Sequence, residues 1–236
     1  MRPDLQHAFP PVGENPMTKV NIQAVAFDMD GLMFDTEDVY NRVGRELMRR
    51  RGYEYTDELC HTVMGTPPEA SFTTMIQWYS LPDTWQDLQK ESDAIFLELI
   101  KDGFEIMPGL PELLATIERL GLPKCICTSS APHLVEPVLA VYDMGPRFDF
   151  IMTAVDIVKG KPNPEIYLKA ATRFEVAPVA MMVLEDSVQG TEAALAAGAY
   201  TVTVLAEHNK SRTFPEGTHI VDRLDSSEVL SALTAM

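Results

Sequence analysis

Five short, mostly apolar runs, spaced along the chain with helix-length segments between them, constrain its fold more than any other feature. They are residues 22–27 (IQAVAF), 124–127 (KCIC), 148–152 (FDFIM), 181–184 (MMVL) and 200–205 (YTVTVL). Runs this short and this apolar read as strands buried on both faces of a sheet. The intervening helices carry their own start and stop signals. Residues 111–120 open on Pro111, repeat Leu113, Leu114, Ile117 and Leu120 at helical spacing, and stop at Gly121. Asn163 can cap a helix with Pro164 in its first turn and Ile166, Tyr167, Ala170 and Phe174 on its inner face. Ser187 can cap an Ala-rich helix that ends at Gly198. Strand–helix alternation of this kind demands right-handed crossovers, so the expected fold is α/β, a Rossmann-like doubly wound parallel sheet.

One segment breaks the alternation. Residues 36–105 hold no convincing strand, only helical patterns such as 37–50, with Val39, Val43 and Leu47 as an apolar stripe, and 85–100. We read this stretch as an inserted α-helical cap domain, with Pro108-Gly109 marking the return to the sheet. The expected division is a mobile arm over residues 1–19, a core of residues 20–35 and 106–236, and the cap between. Because the insertion departs just after Asp28 and Asp30, it should lie over the ends of the strands.

Composition removes several classes. With 46% hydrophobic residues the chain can build a core, and a net charge of −16 leaves little to attract a nucleic-acid polymer. No apolar run is long enough to span a bilayer, and the first 20 residues lack the apolar centre of a secretory signal. They read instead as a polar arm in which Met17 is an alternative start. Cys60, Cys125 and Cys127 are few and odd in number, which fits a reducing cytoplasm better than a disulfide scaffold.

The chemistry-bearing residues share one placement. Asp28 and Asp30 follow the first run, Thr128 the second, Lys161 the third, and Glu185 and Asp186 the fourth. In an open parallel sheet the carboxyl ends of the strands line one edge, where ligands bind. Asp28 and Asp30, two apart on extended backbone, point to one side, and Gly31 permits the sharp turn that follows. Several carboxylates, an ammonium and a hydroxyl gathered there suit a divalent metal and a phosphoryl group. Each signal alone is weak. Asp-x-Asp can be a polar turn, Glu185-Asp186 a helix start, Thr128-Ser129-Ser130 a Ser-rich turn, and Lys161 or its neighbour Lys159 a solvated loop lysine.

Taken together, the strings FDMDGLMFDTE, ICTSS, GKPNPEIY and VLEDSVQGTEAALAAGA resemble the four motifs of the haloacid-dehalogenase-like phosphohydrolases. The resemblance runs from Val20 to about Leu205, and the helical insertion is similar to the cap of the beta-phosphoglucomutase-like branch. Within that branch the chain looks most like pseudouridine 5′-phosphatase-type enzymes, with Asn209-Lys210-Ser211-Arg212 as a further supporting string. The resemblance implies a Mg2+-dependent phosphatase acting on a small phosphomonoester, a sugar phosphate or a nucleoside monophosphate, through an aspartyl-phosphate. Asp28 would be the nucleophile and Asp30 the acid and then the base. Thr128 and nearby amides would bind the transferring group, and Lys161, matched by Gly-Lys-Pro, would tie down Asp28 and neutralise phosphate. Asp28, the Asp30 carbonyl and Asp186 would hold Mg2+, with Glu185 acting through water. Tyr40, Gly65, Thr66, Lys90, Ser129 and Ser130 would lie near the substrate. Tyr40 reads as readily as cap core, and Lys90 as a solvated lysine.

The expected partner is a small phosphomonoester, with no membrane and, from the net charge, no nucleic-acid polymer, and the expected state is a monomer or weak homo-oligomer. A phosphosugar mutase would share every core residue but must grip a second phosphate. The cap loop Gly65-Thr66-Pro67-Pro68 lacks the arginine usual there, which favours water as acceptor. A dehalogenase typically lacks the second acid, and a phospho-accepting signalling domain would be about half this length without a cap. A non-catalytic binding protein would not need every catalytic position intact. Cys125 and Cys127 read as buried, inert thiols, and His7, His61, His133, His208 and His219 show no ligand spacing. Trp78, Trp85 and the methionines read as core.

Overall fold

A computed structural model describes residues 20–235. The expected arm at residues 1–19 and the alternative start at Met17 lie outside the described residues.

Six strands form one parallel sheet: β1 (Ala24–Phe27), β2 (Lys124–Cys127), β3 (Phe150–Met152), β4 (Met181–Glu185), β5 (Tyr200–Val204) and β6 (His219–Val221), in the order β3-β2-β1-β4-β5-β6. The order reverses beside β1, the switch point at which such sheets open a crevice. Alternation along β1 explains the layers. Val25 and Phe27 face one apolar cluster and Ala24 and Ala26 the other, and all four residues are fully buried. On the Val25 side pack α5 (Leu110–Leu120), α6 (Pro132–Val141) and α9 (Ser227–Thr234). On the Ala24 side pack α7 (Glu165–Arg173) and α8 (Val188–Ala196), whose small Ala193 and Ala194 permit close approach to the sheet.

Between β1 and β2 the described chain is helical: α1 (Thr36–Arg49), α2 (Asp57–Val63), α3 (Pro68–Tyr79) and α4 (Trp85–Leu99). Asp35 caps α1, Thr56 caps α2, and Thr84 with Asp87 forms a reciprocal capping box on α4. The α1 stripe Val39, Val43 and Leu47 is buried, and Tyr40 stacks on Phe96 of α4 at 4.8 Å. Arg51, only partly exposed, binds Asp83 at 2.6 Å and Glu91 at 2.7 Å, fixing the ends of α1 and α4 together.

Several expectations need correction. β1 begins two residues later than expected, and β3 spans only three residues, since Phe148 and Asp149 bend after the 3-10 turn Gly145–Arg147. β6 and α9 carry no strong sequence signal. Their strand has only Val221 buried, so its inner face offers almost no apolar pattern. Pro164 lies at the cap position of α7 with ψ near 0°, not in its first turn, although the Asn163 side chain still accepts from Glu165 N at 3.1 Å. Trp78 is not core. It is 40% exposed, because α3 buries the stripe Phe72, Met75, Ile76 and Tyr79, from which Trp78 is offset. Cys125 and Cys127 are buried as expected. No helix among the described residues is long and apolar enough to cross a membrane.

Candidate active site

Register places the site. Phe27 stands opposite Ile126 on β2 and Leu184 on β4, so the next residues along these strands, Asp28, Cys127 and Glu185, emerge at one level of the sheet edge. The Asp28 N–H donates to the Leu184 carbonyl at 3.0 Å, carrying the strand pairing up to the first acid.

Lys161 arrives from the loop after β3 and is nearly buried, its side chain 5% exposed. Its ammonium has three N–H bonds and three partners: the Asp28 carboxylate, Glu185 Oε1 at 2.6 Å and the Cys127 carbonyl at 3.0 Å. Lys159, which spacing left open, is exposed. Burial alone would lower the proton affinity of Lys161, but Asp28 and Glu185 outweigh it and raise its pKa above the usual lysine value. Burial pushes Asp28 well above the usual carboxylate range despite Lys161, helped by Glu185, Asp186 and Asp30. Asp186 is pushed up to about 6 by burial and by Glu185, against the pull of His208. These directions describe a site with more carboxylates than its single ammonium can neutralise.

Glu185 is saturated. Oε1 accepts from Lys161 and from the Tyr167 hydroxyl; Oε2 accepts from Asp186 N at 3.2 Å, Ser187 N at 3.3 Å and Ser187 Oγ at 3.0 Å. Two other carboxylate oxygens are the opposite. Asp30 Oδ1 and Asp186 Oδ1 are buried with no hydrogen-bond partner. Asp28, Glu185 and Asp186 each offer an oxygen within 4.8 Å of the others, the acidic set among the described residues able to hold a metal ion. An oxygen-only donor set, with an unpartnered buried oxygen on Asp186, fits a hard divalent cation. Asp28, with one oxygen on Lys161, and Asp186, with one beside His208, each keep a second oxygen for such an ion, whereas both Glu185 oxygens are occupied.

The second acid joins the hydroxyls after β2. Asp30 Oδ2 accepts from Thr128 Oγ1 at 3.3 Å and Ser130 Oγ at 2.7 Å, and Thr128 Oγ1 accepts from Ser130 N at 3.0 Å. Tyr40 lies beside this group; burial holds its hydroxyl protonated, and nearby Asp30 adds to the effect.

The structure therefore brings together Asp28, Asp30, Thr128, Ser130, Lys161, Glu185 and Asp186, with Tyr40 alongside. The other expected substrate residues are less gathered. Gly65, with φ of 73°, accepts at its carbonyl from Gln189 Nε2 at 3.3 Å, linking the helical insertion to α8. The Thr66 hydroxyl turns back to Val63 O at 2.7 Å and Ser71 at 2.6 Å. Ser129 is exposed, and Lys90 is exposed beside Trp85, Asp93 and His133 in a shallow cleft of about 460 Å³.

Sequence reasoning missed Tyr167 and His208. Tyr167 belongs to the inner face of α7, where its ring reads as core and its hydroxyl goes unnoticed. His208 shows no ligand spacing in the sequence, yet its Nε2 lies 2.8 Å from Asp186 Oδ2. The available signal was its position just past β5, on the same edge as the other strand ends.

Comparison with known proteins agrees with this geometry. Residues 25–204 match the family described as Haloacid dehalogenase-like hydrolase. A phosphorylated carbohydrates phosphatase of Thermotoga maritima is 32% identical over 75% of this chain and 82% of its own. A protein described as a probable pseudouridine-5'-phosphatase of Drosophila melanogaster is 34% identical over 75% of this chain and 79% of its own. The crystal structure of a mutant CbbY from Rhodobacter sphaeroides, in complex with xylulose-(1,5)bisphosphate, superposes with a TM-score of 0.79 at 22% identity, covering 90% of this chain and 99% of that one. The fold is shared over 90% of the chain, the family match runs from within β1 to the end of β5, and the chain belongs to the haloacid dehalogenase-like hydrolases.

Proposed function

We propose that this hydrolase is a Mg2+-dependent phosphatase of small phosphomonoesters that works through a phosphorylated Asp28. The observation that carries the reading is the arrangement around Asp28: an acceptor carboxylate held by a buried ammonium, with hydroxyl donors and a second acid on its open side. In the first step an Asp28 oxygen forms a bond to phosphorus while the bond to the leaving oxygen breaks, and Asp30 gives its proton to that oxygen. In the second, water attacks phosphorus, Asp30 takes the water proton, and the bond to Asp28 breaks. Thr128 and the neighbouring amides donate to the transferring oxygens. Lys161 orients Asp28 and offsets phosphate charge. Mg2+ bound by Asp28, the Asp30 carbonyl and Asp186 would supply the positive charge that lets an anion enter among carboxylates. Glu185, saturated by its donors, serves as anchor for Lys161 and would act on the ion only through water.

The cleft between α1 and the core favours hydrolysis over transfer between two sugar phosphates. It encloses about 540 Å³ and is lined by Asp35, Glu37, Asp38, Glu105, Glu207 and Asp222, with His208 as its one basic side chain. A second phosphate would meet like charge there. The relatives described as phosphatases support a sugar phosphate or nucleoside monophosphate as substrate. In this reading residues 36–105 form a cap hinged at both ends, and the protein is cytoplasmic and a monomer or weak homo-oligomer.

The test is phosphate release across a panel of phosphomonoesters, with pseudouridine 5′-phosphate and β-glucose 1-phosphate included. Turnover that needs Mg2+, stops in excess chelator and is absent in Asp28→Asn supports the reading. Undiminished turnover in chelator or in that variant refutes it, and interconversion of two sugar phosphates without phosphate release would assign a mutase.

A further inference from the structure

The turn after β5 closes around Asp186. Asn209 is 4% exposed and donates from Nδ2 to the Asp186 carbonyl at 2.8 Å and to the Val204 carbonyl at 3.0 Å, while its Oδ1 accepts from Ala206 N at 2.8 Å. With the turn pinned in this way, His208 Nε2 donates to Asp186 Oδ2 at 2.8 Å. The other oxygen of the same carboxylate, Oδ1, is buried and unpartnered. Gly31 makes room for the pair. A Cβ at that position would sit 2.3 Å from Asp186 Oδ2 and 3.1 Å from His208 Nε2, and φ of 78° already selects glycine.

We infer that His208 is a positioning residue for a divalent cation, holding Asp186 by Oδ2 so that Oδ1 is the oxygen presented to the ion. This inference rests on the metal reading given above. An ionised carboxylate can only accept hydrogen bonds, so committing one oxygen to an N–H fixes both the rotation of the group and the identity of the free oxygen. Leaving Oδ1 buried without a donor costs free energy in the metal-free protein, and a bound cation relieves that cost. Residues that orient a ligand in this manner change metal affinity by about 10–100-fold when removed. The opposite reading, in which the imidazole stands in the place of the cation, makes the opposite prediction.

The experiment is calorimetric titration of Mg2+ alone into the chelator-stripped full-length protein, with a thermal melt in the absence of Mg2+ to verify folding. His208→Ala should weaken Mg2+ binding by about 10–100-fold, and His208→Gln, whose amide reaches the same distance as Nε2, should recover most of it. Should the alanine variant not fold, His208→Asn, whose amide falls short of Oδ2, takes its place against His208→Gln. Unchanged or tighter Mg2+ binding in the alanine or asparagine variant overturns the inference, as does a glutamine variant no better than either. Mg2+ binding by the unaltered protein with no loss in the variants sinks this inference alone. No Mg2+ binding by the unaltered protein would sink the metal reading and this inference with it.

Discussion

Lys161 and Glu185 form an ion pair at 2.6 Å in which both side chains are nearly shut off from solvent, being 5% and 0% exposed. Among the described residues the pair ties the loop after β3 to the end of β4 through charge, and Asp28 shares the same ammonium.

Removing one partner of a buried pair leaves an uncompensated charge, at a cost of about 3–5 kcal/mol. Lys161→Ala should therefore lower unfolding stability by that order and abolish turnover together. Urea denaturation with a parallel phosphate-release assay checks both. A stable but inactive variant would show that the ammonium serves the reaction without holding the fold.

The Tyr167 hydroxyl bonds Glu185 on the oxygen shared with Lys161. Hydrogen bonds to charged groups contribute about 1.5–3 kcal/mol, and phenylalanine keeps the ring against its neighbours. Tyr167→Phe should lose stability in that range, read from the urea midpoint, and lower kcat more than it raises KM. An unchanged midpoint would mean that Lys161 and the Ser187 donors suffice.

Gly190 on α8 lies against the same carboxylate, and a Cβ there would fall 1.8 Å from Glu185 Oε1. Alanine is favoured over glycine within a helix by about 1 kcal/mol, so an indifferent site would gain from Gly190→Ala. Here the methyl group must displace Glu185 and with it Lys161. The variant should lose most activity while circular dichroism still reports a folded α/β protein, and full activity would contradict the packing.

Glu165 anchors the loop that delivers Lys161. Its carboxylate accepts from Val158 N at 3.0 Å and Lys159 N at 2.9 Å and pairs with Lys169 at 2.7 Å, and its pKa falls from 4.5 to about 2, chiefly through Lys169. A depressed folded pKa gives stability that is complete above about 4.5 and lost as pH falls through about 2. The difference in urea midpoint between the unaltered protein and Glu165→Gln should thus be largest above that window and shrink on acidification into it. A difference that is constant with pH would assign the effect to packing.

Legibility divides along physical lines. Strand ends could be read because a buried parallel strand is an unbroken apolar run, and the first polar residue beyond it stands out, as Asp28, Thr128 and Asp186 do. β6 could not, since an edge strand with His219 and Ile220 exposed has no such contrast. Tyr167 and His208 were hidden for different reasons. A tyrosine on an inward helix face looks like any core aromatic until its hydroxyl is seen to need a partner, and His208 acquires meaning only through the turn that Asn209 pins. Lys90 and Thr66 sat in plausible places, but the side chain of Thr66 is engaged locally and that of Lys90 stays in solvent.

The pairing of β1 with β4 has one more implication. Because Phe27 faces Leu184, a slip of a single rung between the two innermost strands would send Asp28 and Glu185 to opposite sides of the sheet. Turnover is thus one gauge of that alignment. Damage at the periphery, in β6 or around the exposed Trp78 of α3, should leave the gauge untouched until the middle of the sheet gives way.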